Sequence, residues 1–371
     1  MPPHPTPHEL GFRMPAEWEP HRATWLAWPH APDWPGKADA IPWVYAELAR
    51  HLVGSERVRL LVGDRAEEGR ARRVLARARV DLAGLDFLRI PTNRSWTRDY
   101  LPSFVTRSRG RRVPELGAVK WRFDGWRRYS NFRLDEAAGN RAAEWLGART
   151  FWPETPAGRA VLEGGALDVD GEGTVIVSDE CLVTGPRARL SALGRAGAER
   201  LLGDYLGAPC VLWVERGIAG DDTSGHVDDF VRFVAPGRVV LCDEPNGRDA
   251  NHRPLRVALE RLEGARDARG RRLEIVSLPM PSPLFSGPDR LPASYANFYI
   301  ANRVVLVPTF NDPRDRLALG IIGELFPDRT VLGIHAVDLV LGLGALHCST
   351  QQEPLGRTPR AKNQSPVFSR V

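Results

Sequence analysis

Five residues of the chain carry the side-chain types that covalent catalysis on a cationic substrate requires. One is a thiol, one is an imidazole and three are carboxylates: Cys348, His226, Asp99, Asp228 and Glu163. A cysteine thiolate is a strong nucleophile, and a histidine transfers protons near neutral pH. Carboxylates accept the N–H groups of a planar guanidinium as bidentate hydrogen bonds. The combination predicts chemistry on a cationic, planar group held among acids.

The cysteine lies in a loop of small and polar residues, GLGALHCSTQQEP, which spans residues 342–354. A structural cysteine usually sits in an apolar run, whereas Cys348 follows His347 and precedes Ser349 and Thr350. Polar surroundings favour a thiolate, so we interpret the loop as an active-site segment. An incidental cysteine in a glycine-rich loop fits this stretch equally well, and the other motifs have to decide between the two.

A histidine and several acids lie in the segment GIAGDDTSGHVDDFVRFV, residues 217–234. If residues 226–234 form a strand, the two-residue period of strand side chains places His226 and Asp228 on one face. A proton carrier and an acceptor would then point the same way, which makes His226 a better candidate for the catalytic base than His347. The alternative is that His226 is a capped structural residue on an edge strand.

The other two carboxylates lie next to apolar runs. Glu163 follows an apolar pair and precedes Gly164 and Gly165, which predicts a carboxylate at a strand end with backbone room for a ligand. Asp99 belongs to the segment SWTRDYLPSFV, residues 95–105. An aspartate beside an arginine is usually part of a salt bridge or a turn, so a functional role for Asp99 requires partners from elsewhere in the chain.

Short β-branched runs alternate with helical patterns along the chain, which predicts an α/β fold. The dipeptide Asp170-Gly171 predicts a hairpin turn rather than a calcium loop, because the spacing lacks a terminal glutamate ligand. The intervals are uneven, so a doubly wound sheet and a closed pseudo-repeat fit equally well. The predicted strands are 58–62, 174–177, 211–214, 239–242 and 304–307, and the predicted helices are 41–52, 65–80, 135–146, 187–206, 250–263 and 314–325.

Composition limits the class of protein. The 371 residues are 43% hydrophobic and 26% charged, which is typical of a globular chain. No linker divides it, so we expect one domain over residues 1–371 with a loosely ordered polar tail from about 355 to 371. The first residues lack a signal-peptide pattern, and no apolar run approaches the roughly 20 residues that span a bilayer. We therefore expect a cytoplasmic protein without membrane contact, in which homo-oligomers are possible.

Cysteine spacing argues against a structural metal. The four cysteines lie far apart and form no CxxC pair: Cys181, Cys210, Cys242 and Cys348. This spacing is not typical of a zinc site or of a compact disulfide framework, and it fits a reducing compartment best. The sequence therefore predicts neither a metal nor a cofactor.

Arginine-dense runs raise the alternative of nucleic-acid binding. The net charge is +5, only three of the 51 basic residues are lysine, and residues 70–79 and 266–272 are rich in arginine. In the first run, Val74, Leu75 and Ala78 supply an apolar helical stripe. We therefore predict a solvated helix face there and no nucleic-acid partner.

Taken together, the motifs resemble the agmatine deiminase and bacterial peptidylarginine deiminase family of guanidine-modifying enzymes. The match covers nearly the whole chain and keeps the motifs in order: MPAEWEPHRATWLAWPH, WTRDYLPSFV, WRFDGW, LEGGALDVDGEGT, DDTSGHVDD, PTFNDPRDRLAL and GALHCSTQQEP. The resemblance implies a five-bladed α/β propeller (pentein) with pseudo-fivefold symmetry. The periodicity of the sequence permits this fold but does not select it.

The resemblance also implies roles for individual residues. It makes Cys348 the nucleophile, His226 the general acid and base, and Glu163 a carboxylate that contacts His226 and a substrate nitrogen. Asp99 and Asp228 would clamp the guanidinium. The remaining implied substrate-binding residues are Trp96, Trp126 and Asp222. A small cationic guanidine would be hydrolysed without metal or cofactor, through a thiouronium intermediate on the cysteine.

The substrate itself stays open at this point. The resemblance implies conversion of agmatine to N-carbamoylputrescine and ammonia, with peptidylarginine or free arginine as alternative substrates and amidino transfer as a less favoured reaction. Agmatine deiminases commonly read RDTGP where this chain has Leu101 in RDYLP, and DDETDGHVDN where it has Asp222 and Ser224 in DDTSGHVDD. These departures affect recognition of the far end of the substrate. A catalytically silent relative or an arginine-rich nucleic-acid binder is the non-enzyme alternative.

Overall fold

The computed structural model describes residues 5–108, 110 and 113–358, and it has the predicted α/β character. All five predicted strand runs lie inside strands. The helices are α1 Ile41–Leu52, α2 Arg65–Arg77, α3 Thr97–Tyr100, α4 Arg133–Leu146, α5 Gly194–Leu206, α6 His252–Leu262 and α7 Asp315–Leu325. The strands are β1 His21–Ala27, β2 Arg57–Val62, β3 Leu85–Arg89, β4 Ser103–Arg107, β5 Glu115–Val119, β6 Arg149–Phe151, β7 Glu154–Thr155, β8 Gly158–Arg159, β9 Leu167–Val169, β10 Thr174–Ser178, β11 Cys210–Val214, β12 Val231–Ala235, β13 Arg238–Asp243, β14 Glu274–Pro279, β15 Phe285–Ser286, β16 Asp289–Arg290, β17 Tyr299–Ile300, β18 Val304–Thr309, β19 Thr330–His335 and β20 Gln351–Pro354.

One arrangement of strands recurs in five sheets. Their orders are β20-β1-β2-β3, β4-β5-β6, β9-β10-β11, β12-β13-β14 and β17-β18-β19. In each sheet the first pair is antiparallel and the following pairs are parallel. A helix connects the parallel strands, because a parallel crossover needs a long connection. The recurring unit is therefore an antiparallel strand followed by a βαβ crossover.

The central strands of the sheets are mostly buried because both of their faces are covered. Strand β10 is buried over its whole length, and Trp25 and Trp34 are almost completely buried in the larger of two apolar clusters. The arginine-rich face of α2 is exposed and pairs with acids, as in the 2.8 Å contact between Arg72 and Glu68. These contacts agree with a solvated helix face at residues 70–79.

The turn between β9 and β10 agrees with the sequence prediction, whereas the start of helix α5 differs from it. Strands β9 and β10 form the predicted hairpin, and Gly171 supplies the positive φ of 72° that its turn requires. The helix predicted over 187–206 is too long, since α5 begins only at Gly194, which itself has a φ of 60°. The segment before it extends the Arg189 side chain into the interior instead.

The end of the described chain is attached to the body of the protein. The backbone N–H of Leu355 donates to Pro20 O at 2.7 Å, and Arg357 exchanges backbone hydrogen bonds with Pro114 and Leu116. The rest of the predicted loose tail, residues 359–371, lies outside the described residues. Among the described residues, no helix is both long enough and apolar enough to cross a membrane.

Candidate active site

Every one of the five recurring sheets contributes a polar residue to a single cluster. Each residue lies two to five positions before the first, antiparallel strand of its sheet: Asp99 before β4, Glu163 before β9, His226 and Asp228 before β12, Asn297 before β17, and Cys348 before β20. The five residues predicted from the sequence as catalytic are thus brought together, and Asn297 is an addition. Repetition of one supersecondary unit explains why residues so distant in sequence meet.

The predicted strand at 226–234 is wrong at its beginning. Val227–Asp229 forms a 3₁₀ turn and the strand starts only at Val231, because Ser224 and Gly225 have positive φ values of 72° and 96°. Asp221 holds this loop by accepting from the backbone N–H groups of Gly225 and His226 at 2.6 and 3.2 Å. His226 and Asp228 still contact the same cluster, but through a turn and not through strand alternation.

Cys348 is surrounded by acids rather than by cations. Its thiol is 9% exposed and donates to Asp228 Oδ2 at 3.7 Å, while Asn297 Nδ2 donates to the sulfur at 3.2 Å. Burial, reinforced by Asp228 and then by Asp229 and Asp99, raises the pKa of the Cys348 thiol well above its usual range. This direction is opposite to the thiolate that the polar neighbours in the sequence favour. A positive charge placed beside the thiol would favour its ionisation.

This protonation state gives a testable pH dependence. Alkylation of Cys348 by iodoacetamide requires the thiolate, and the raised pKa keeps the thiolate fraction small at neutral pH. We expect the alkylation rate of the free protein to keep rising through pH 9, where an ordinary thiol approaches its plateau. Mass spectrometry of the labelled peptide measures the rate, with a small free thiol such as N-acetylcysteine as the reference. A Cys348 rate that levels off below pH 8 would contradict the assignment.

His226 is a buried imidazole between two carboxylates. Its Nδ1 lies 3.8 Å from Asp99 Oδ1, and its Nε2 lies 3.5 Å from Glu163 Oε2. Burial favours the neutral ring, but Asp99, the Cys181 thiol and Glu163 outweigh it and raise the pKa of His226 well above its usual value. The ring is therefore an imidazolium at neutral pH, which is the form a general acid needs.

Asp99 is held in one orientation by two donors. Trp126 Nε1 donates to its Oδ2 at 2.9 Å, and the backbone N–H of Gly165 donates to its Oδ1 at 3.1 Å. Burial, with Asp228 and Glu163 adding to it against His226, raises the pKa of Asp99 to about 6. Trp126, predicted to bind substrate, thus acts on this carboxylate directly.

The glycine pair after Glu163 lets three functional groups converge. A Cβ atom on Gly165 would lie 2.5 Å from His226 Nδ1, 3.0 Å from Asp99 Oδ1 and 3.1 Å from Asp228 Oδ1. A Cβ on Gly164 would lie 2.3 Å from the carbonyl oxygen of Arg98. Any larger residue at either position would push these groups apart. The space beside the glycines, which the sequence predicted for a ligand, is therefore occupied by other residues of the protein.

Glu163 and Asp228 have different charge partners. Arg189 Nε donates to both oxygens of Glu163, at 3.0 and 3.1 Å, and although burial opposes ionisation the Arg189 and His226 charges lower the pKa of Glu163. For Asp228 burial opposes ionisation, but the hydrogen bond with His347 Nδ1 at 2.7 Å, together with the His347, His226 and Arg232 charges, lowers the pKa. Asp228 Oδ1 is buried without a hydrogen-bond partner among the described residues. It is an acceptor that a guanidinium N–H can satisfy.

His347 bridges the cluster to an interior ion network. Its Nδ1 faces Asp228, and its Nε2 lies 2.8 Å from Glu17 Oε2. Both ring nitrogens of His347 are thus engaged by carboxylates, so neither is positioned to act as the base of a reaction in the cluster. Glu17 also accepts from Arg98 at 3.1 Å and pairs with Arg232 at 3.0 Å. Sequence reasoning missed Glu17, Arg189 and Asn297, and only the quoted MPAEWEPH motif drew attention to the first of them.

Loss of the Glu17 charge should destabilise the fold. Glu17→Gln removes the buried carboxylate that pairs with Arg98 and Arg232 and contacts His347, and breaking a buried ion pair in this way costs about 3–5 kcal/mol. Thermal and urea unfolding measure the change. Glu274→Gln is the control, since the Glu274–Arg238 pair is exposed and should change stability by no more than about 1 kcal/mol. Equal effects of the two substitutions would refute a structural role for the network.

The two other predicted substrate-binding residues, Trp96 and Asp222, have different surroundings. Trp96 is buried against Trp34, with ring centroids 5.3 Å apart, and a Cβ on Gly342 or Gly344 would lie within 2.9 Å of its ring. It supports the loop that carries Cys348. Asp222 accepts a hydrogen bond from Tyr129 at 2.6 Å and is partly buried. Burial raises its pKa.

Comparison with known proteins identifies the family. A family model described as Porphyromonas-type peptidyl-arginine deiminase matches residues 13–354. The chain belongs to this family. It is 34% identical to the agmatine deiminase of Pseudomonas aeruginosa, over 95% of this chain and 98% of that protein.

Solved structures of family members have the same fold. The agmatine deiminase of Enterococcus faecalis superposes with a TM-score of 0.86 at 31% identity, covering 95% of this chain and 98% of that one. A Cys-to-Ser variant of the Campylobacter jejuni agmatine deiminase with substrate bound superposes with a TM-score of 0.80 at 25% identity, covering 93% and 97%. Membership of the family is thus supported by sequence and by fold.

Proposed function

We propose that this protein is an agmatine deiminase, which hydrolyses the guanidinium group of agmatine to N-carbamoylputrescine and ammonia. The observation that carries the proposal is the convergence of Asp99, Asp228 and His226 on one point beside Gly165, with the Cys348 thiol in contact with Asp228. Two carboxylates in one buried cluster, with Asp228 Oδ1 lacking a hydrogen-bond partner among the described residues, suit a planar cation with several N–H donors. The relatives named agmatine deiminase support the choice of substrate.

Substrate binding itself would activate the nucleophile. The acids that hold the Cys348 thiol protonated are Asp228, Asp229 and Asp99, and two of them are the proposed guanidinium clamps. A cation between them compensates their charge and lowers the thiol pKa, so the proton is lost only when substrate is present. An empty site therefore stays unreactive.

The reaction then follows in two steps. The Cys348 thiolate attacks the guanidinium carbon, and the carbon–nitrogen bond breaks as the His226 imidazolium protonates the departing nitrogen, which leaves as ammonia. Water next attacks the S-alkylthiouronium carbon, and neutral His226 takes one of its protons. The carbon–sulfur bond then breaks as the remaining hydroxyl proton passes to the sulfur, which returns the Cys348 thiol and releases the ureido product. Asp99 and Asp228 hold the carbon flat and compensate the charge throughout. Glu163 keeps His226 oriented.

The far end of the substrate would be recognised near Asp222. Its carboxylate is partly buried and suits the distal ammonium of agmatine, whereas the carboxylate of free arginine would be repelled by it. Arg128 lies 3.7 Å from Asp222 and could partly compensate this repulsion. Deimination of peptidylarginine or free arginine is therefore the second candidate, and the name of the family model favours testing it.

We further propose that the five recurring sheets are the blades of a five-bladed α/β propeller within one catalytic domain. Each sheet has an antiparallel pair followed by parallel pairing, and each supplies its site residue from two to five positions before its antiparallel strand. A pseudo-fivefold axis through the site accounts for both facts. An experimental structure in which the five sheets do not surround one axis would refute this arrangement.

A substrate panel tests the function. Ureido product and ammonia are measured for agmatine, free arginine, methylated arginines and arginine-containing peptides, with Cys348→Ala protein as the blank. We expect agmatine to give the highest kcat/KM and one ammonia per ureido group. Turnover confined to free or peptidyl arginine would overturn agmatine as the substrate while leaving the chemistry intact. No turnover of any guanidine would overturn the enzyme assignment.

A further inference from the structure

A group of potential metal ligands lies against His226 and includes a second cysteine that the proposed reaction does not use. Glu163, Cys181 and His226 each offer one ligand atom, and these atoms lie within 4.8 Å of one another. All three side chains are at most 1% exposed. Their positions 163, 181 and 226 show no metal-binding spacing in the sequence, so only the fold brings them together.

One atom of this group has an unused hydrogen-bonding capacity. His226 Nε2 is buried and has no hydrogen-bond partner among the described residues, and its distance of 3.5 Å from Glu163 Oε2 is too long for a normal hydrogen bond. Buried polar atoms are almost always satisfied, so this nitrogen, whose nearest acceptor is the ion-paired Glu163, is available to a ligand. The atom is directed towards Glu163 and lies in the group that also holds the Cys181 sulfur.

The backbone around Cys181 holds the three ligands in place before any ion binds. Cys181 lies in a single π-helical turn, Glu180–Thr184. Ser178 Oγ accepts from the Cys181 N–H at 3.1 Å and donates to Gly225 O at 2.6 Å, which fixes Cys181 relative to His226. Arg189, whose side chain holds Glu163, donates its backbone N–H to Cys181 O at 2.9 Å. All three ligands therefore belong to one hydrogen-bonded frame.

We propose that Glu163, Cys181 and His226 form an inhibitory site for a borderline-soft divalent cation such as Zn²⁺. One thiolate, one imidazole nitrogen and one carboxylate make a ligand set that zinc accepts, with a fourth position left for water. Magnesium and calcium prefer oxygen ligands only, so they should not bind here. The ion would replace the proton on His226 Nε2 and engage Glu163, which orients this ring, so it would disturb the group that the proposed reaction uses as acid and base. The inhibitory consequence rests on the proposed deiminase function, whereas binding of the ion does not.

The surrounding charge makes this a reversible site. Arg189 Nε lies 3.0 and 3.1 Å from the two oxygens of Glu163, so its guanidinium opposes a second positive charge nearby. The ion also displaces the thiol proton of Cys181 and the proton on His226 Nε2, both of which pass to the solvent. Chelators should therefore remove the metal readily. The ion would reach His226 by the opening that admits the substrate guanidinium.

Cobalt absorption tests metal binding without any need for catalysis. Co²⁺ is added to chelator-treated Cys348→Ala protein, which lacks the nucleophilic thiol and with it the other thiol-containing group, Asp228, Asp229 and Cys348. We expect a thiolate-to-cobalt charge-transfer band that disappears in the Cys348→Ala/Cys181→Ser double variant. A Cys348→Ala/Cys242→Ser variant is the control, because Cys242 is equally buried and lies outside the cluster. No band in Cys348→Ala protein, or a band that survives loss of Cys181, overturns the proposal.

Zinc titration of ammonia release tests the inhibitory role. Wild-type and Cys242→Ser protein should be inhibited at the same zinc concentration and recover with EDTA. Cys181→Ser should need more than about tenfold more zinc, because loss of a ligand costs at least as much as loss of an outer partner. Equal inhibition of Cys181→Ser would overturn the inhibitory assignment. If wild-type protein hydrolyses no guanidine while the cobalt band still depends on Cys181, the proposed function is refuted and the metal site stands.

Discussion

Cys348→Ala protein should fold normally and lose its deiminase activity by a factor on the order of 10⁵ or more, as removal of a catalytic nucleophile does in other covalent enzymes. The thiol occupies a loop whose conformation does not depend on it. Ser349 Oγ and Thr350 Oγ1 donate to the carbonyl oxygens of Ala345 and Leu346 at 2.8 and 3.0 Å, and these bonds persist in the variant. The loss should therefore fall on kcat, with the same unfolding temperature as the wild type.

Substrate binding should survive this substitution. Asp99 and Asp228 remain, and removal of the thiol leaves their charges unchanged, so calorimetry should still detect binding of agmatine to Cys348→Ala protein. In wild-type protein quenched during turnover, mass spectrometry should find a substrate adduct on the peptide that contains Cys348. Cys242→Ser serves as the matched control and should retain wild-type turnover. Near-wild-type ammonia release by Cys348→Ala, or an adduct on another residue, would refute the nucleophile assignment.

The elements of the fold could be predicted where the information is local. Helix α1 and the cores of β2, β10, β11, β13 and β18 follow from residue types and periodicity within a few positions of each residue. The common order of the five sheets could not be predicted, because the repeats share topology and burial but no visible sequence period. The prediction that helix α5 begins at residue 187 also failed because it used local sequence pattern alone. Local propensity does not show that Arg189 is needed in the interior to pair with Glu163.

The candidate site shows the same division. Residue types identified the thiol, the imidazole and the three carboxylates, but their grouping depended on the family resemblance. The polar neighbours of Cys348 in the sequence suggested a thiolate, whereas its neighbours in space are Asp228, Asp229 and Asp99, which favour the thiol. Glu17 is a further example of a contact that sequence pattern does not predict, since its partner His347 lies 330 positions away in the sequence. A pairing of that kind leaves no trace in local pattern.

His226→Gln should separate the two halves of the proposed reaction. Glutamine fills similar space and can still contact Glu163, but it cannot donate a proton to the departing nitrogen or accept one from water. General acid–base catalysis of this kind contributes about 10²- to 10⁴-fold, so kcat should fall within that range while the fold is retained. The variant also loses a buried positive charge beside Asp99, which raises the pKa of that carboxyl further above its present value of about 6.

The pH profile distinguishes proton transfer from a merely structural role of His226. In the wild type the pKa of His226 is raised, so its acid form persists through neutral pH and activity should fall only as alkaline pH removes that proton. In the His226→Gln variant, kcat is low but should no longer decrease at the alkaline pH at which His226 loses its proton in the wild type. Stopped-flow quench and mass spectrometry would show whether the Cys348 adduct forms slowly or accumulates. An unchanged alkaline limb in the variant would mean that another group supplies the proton to the leaving ammonia.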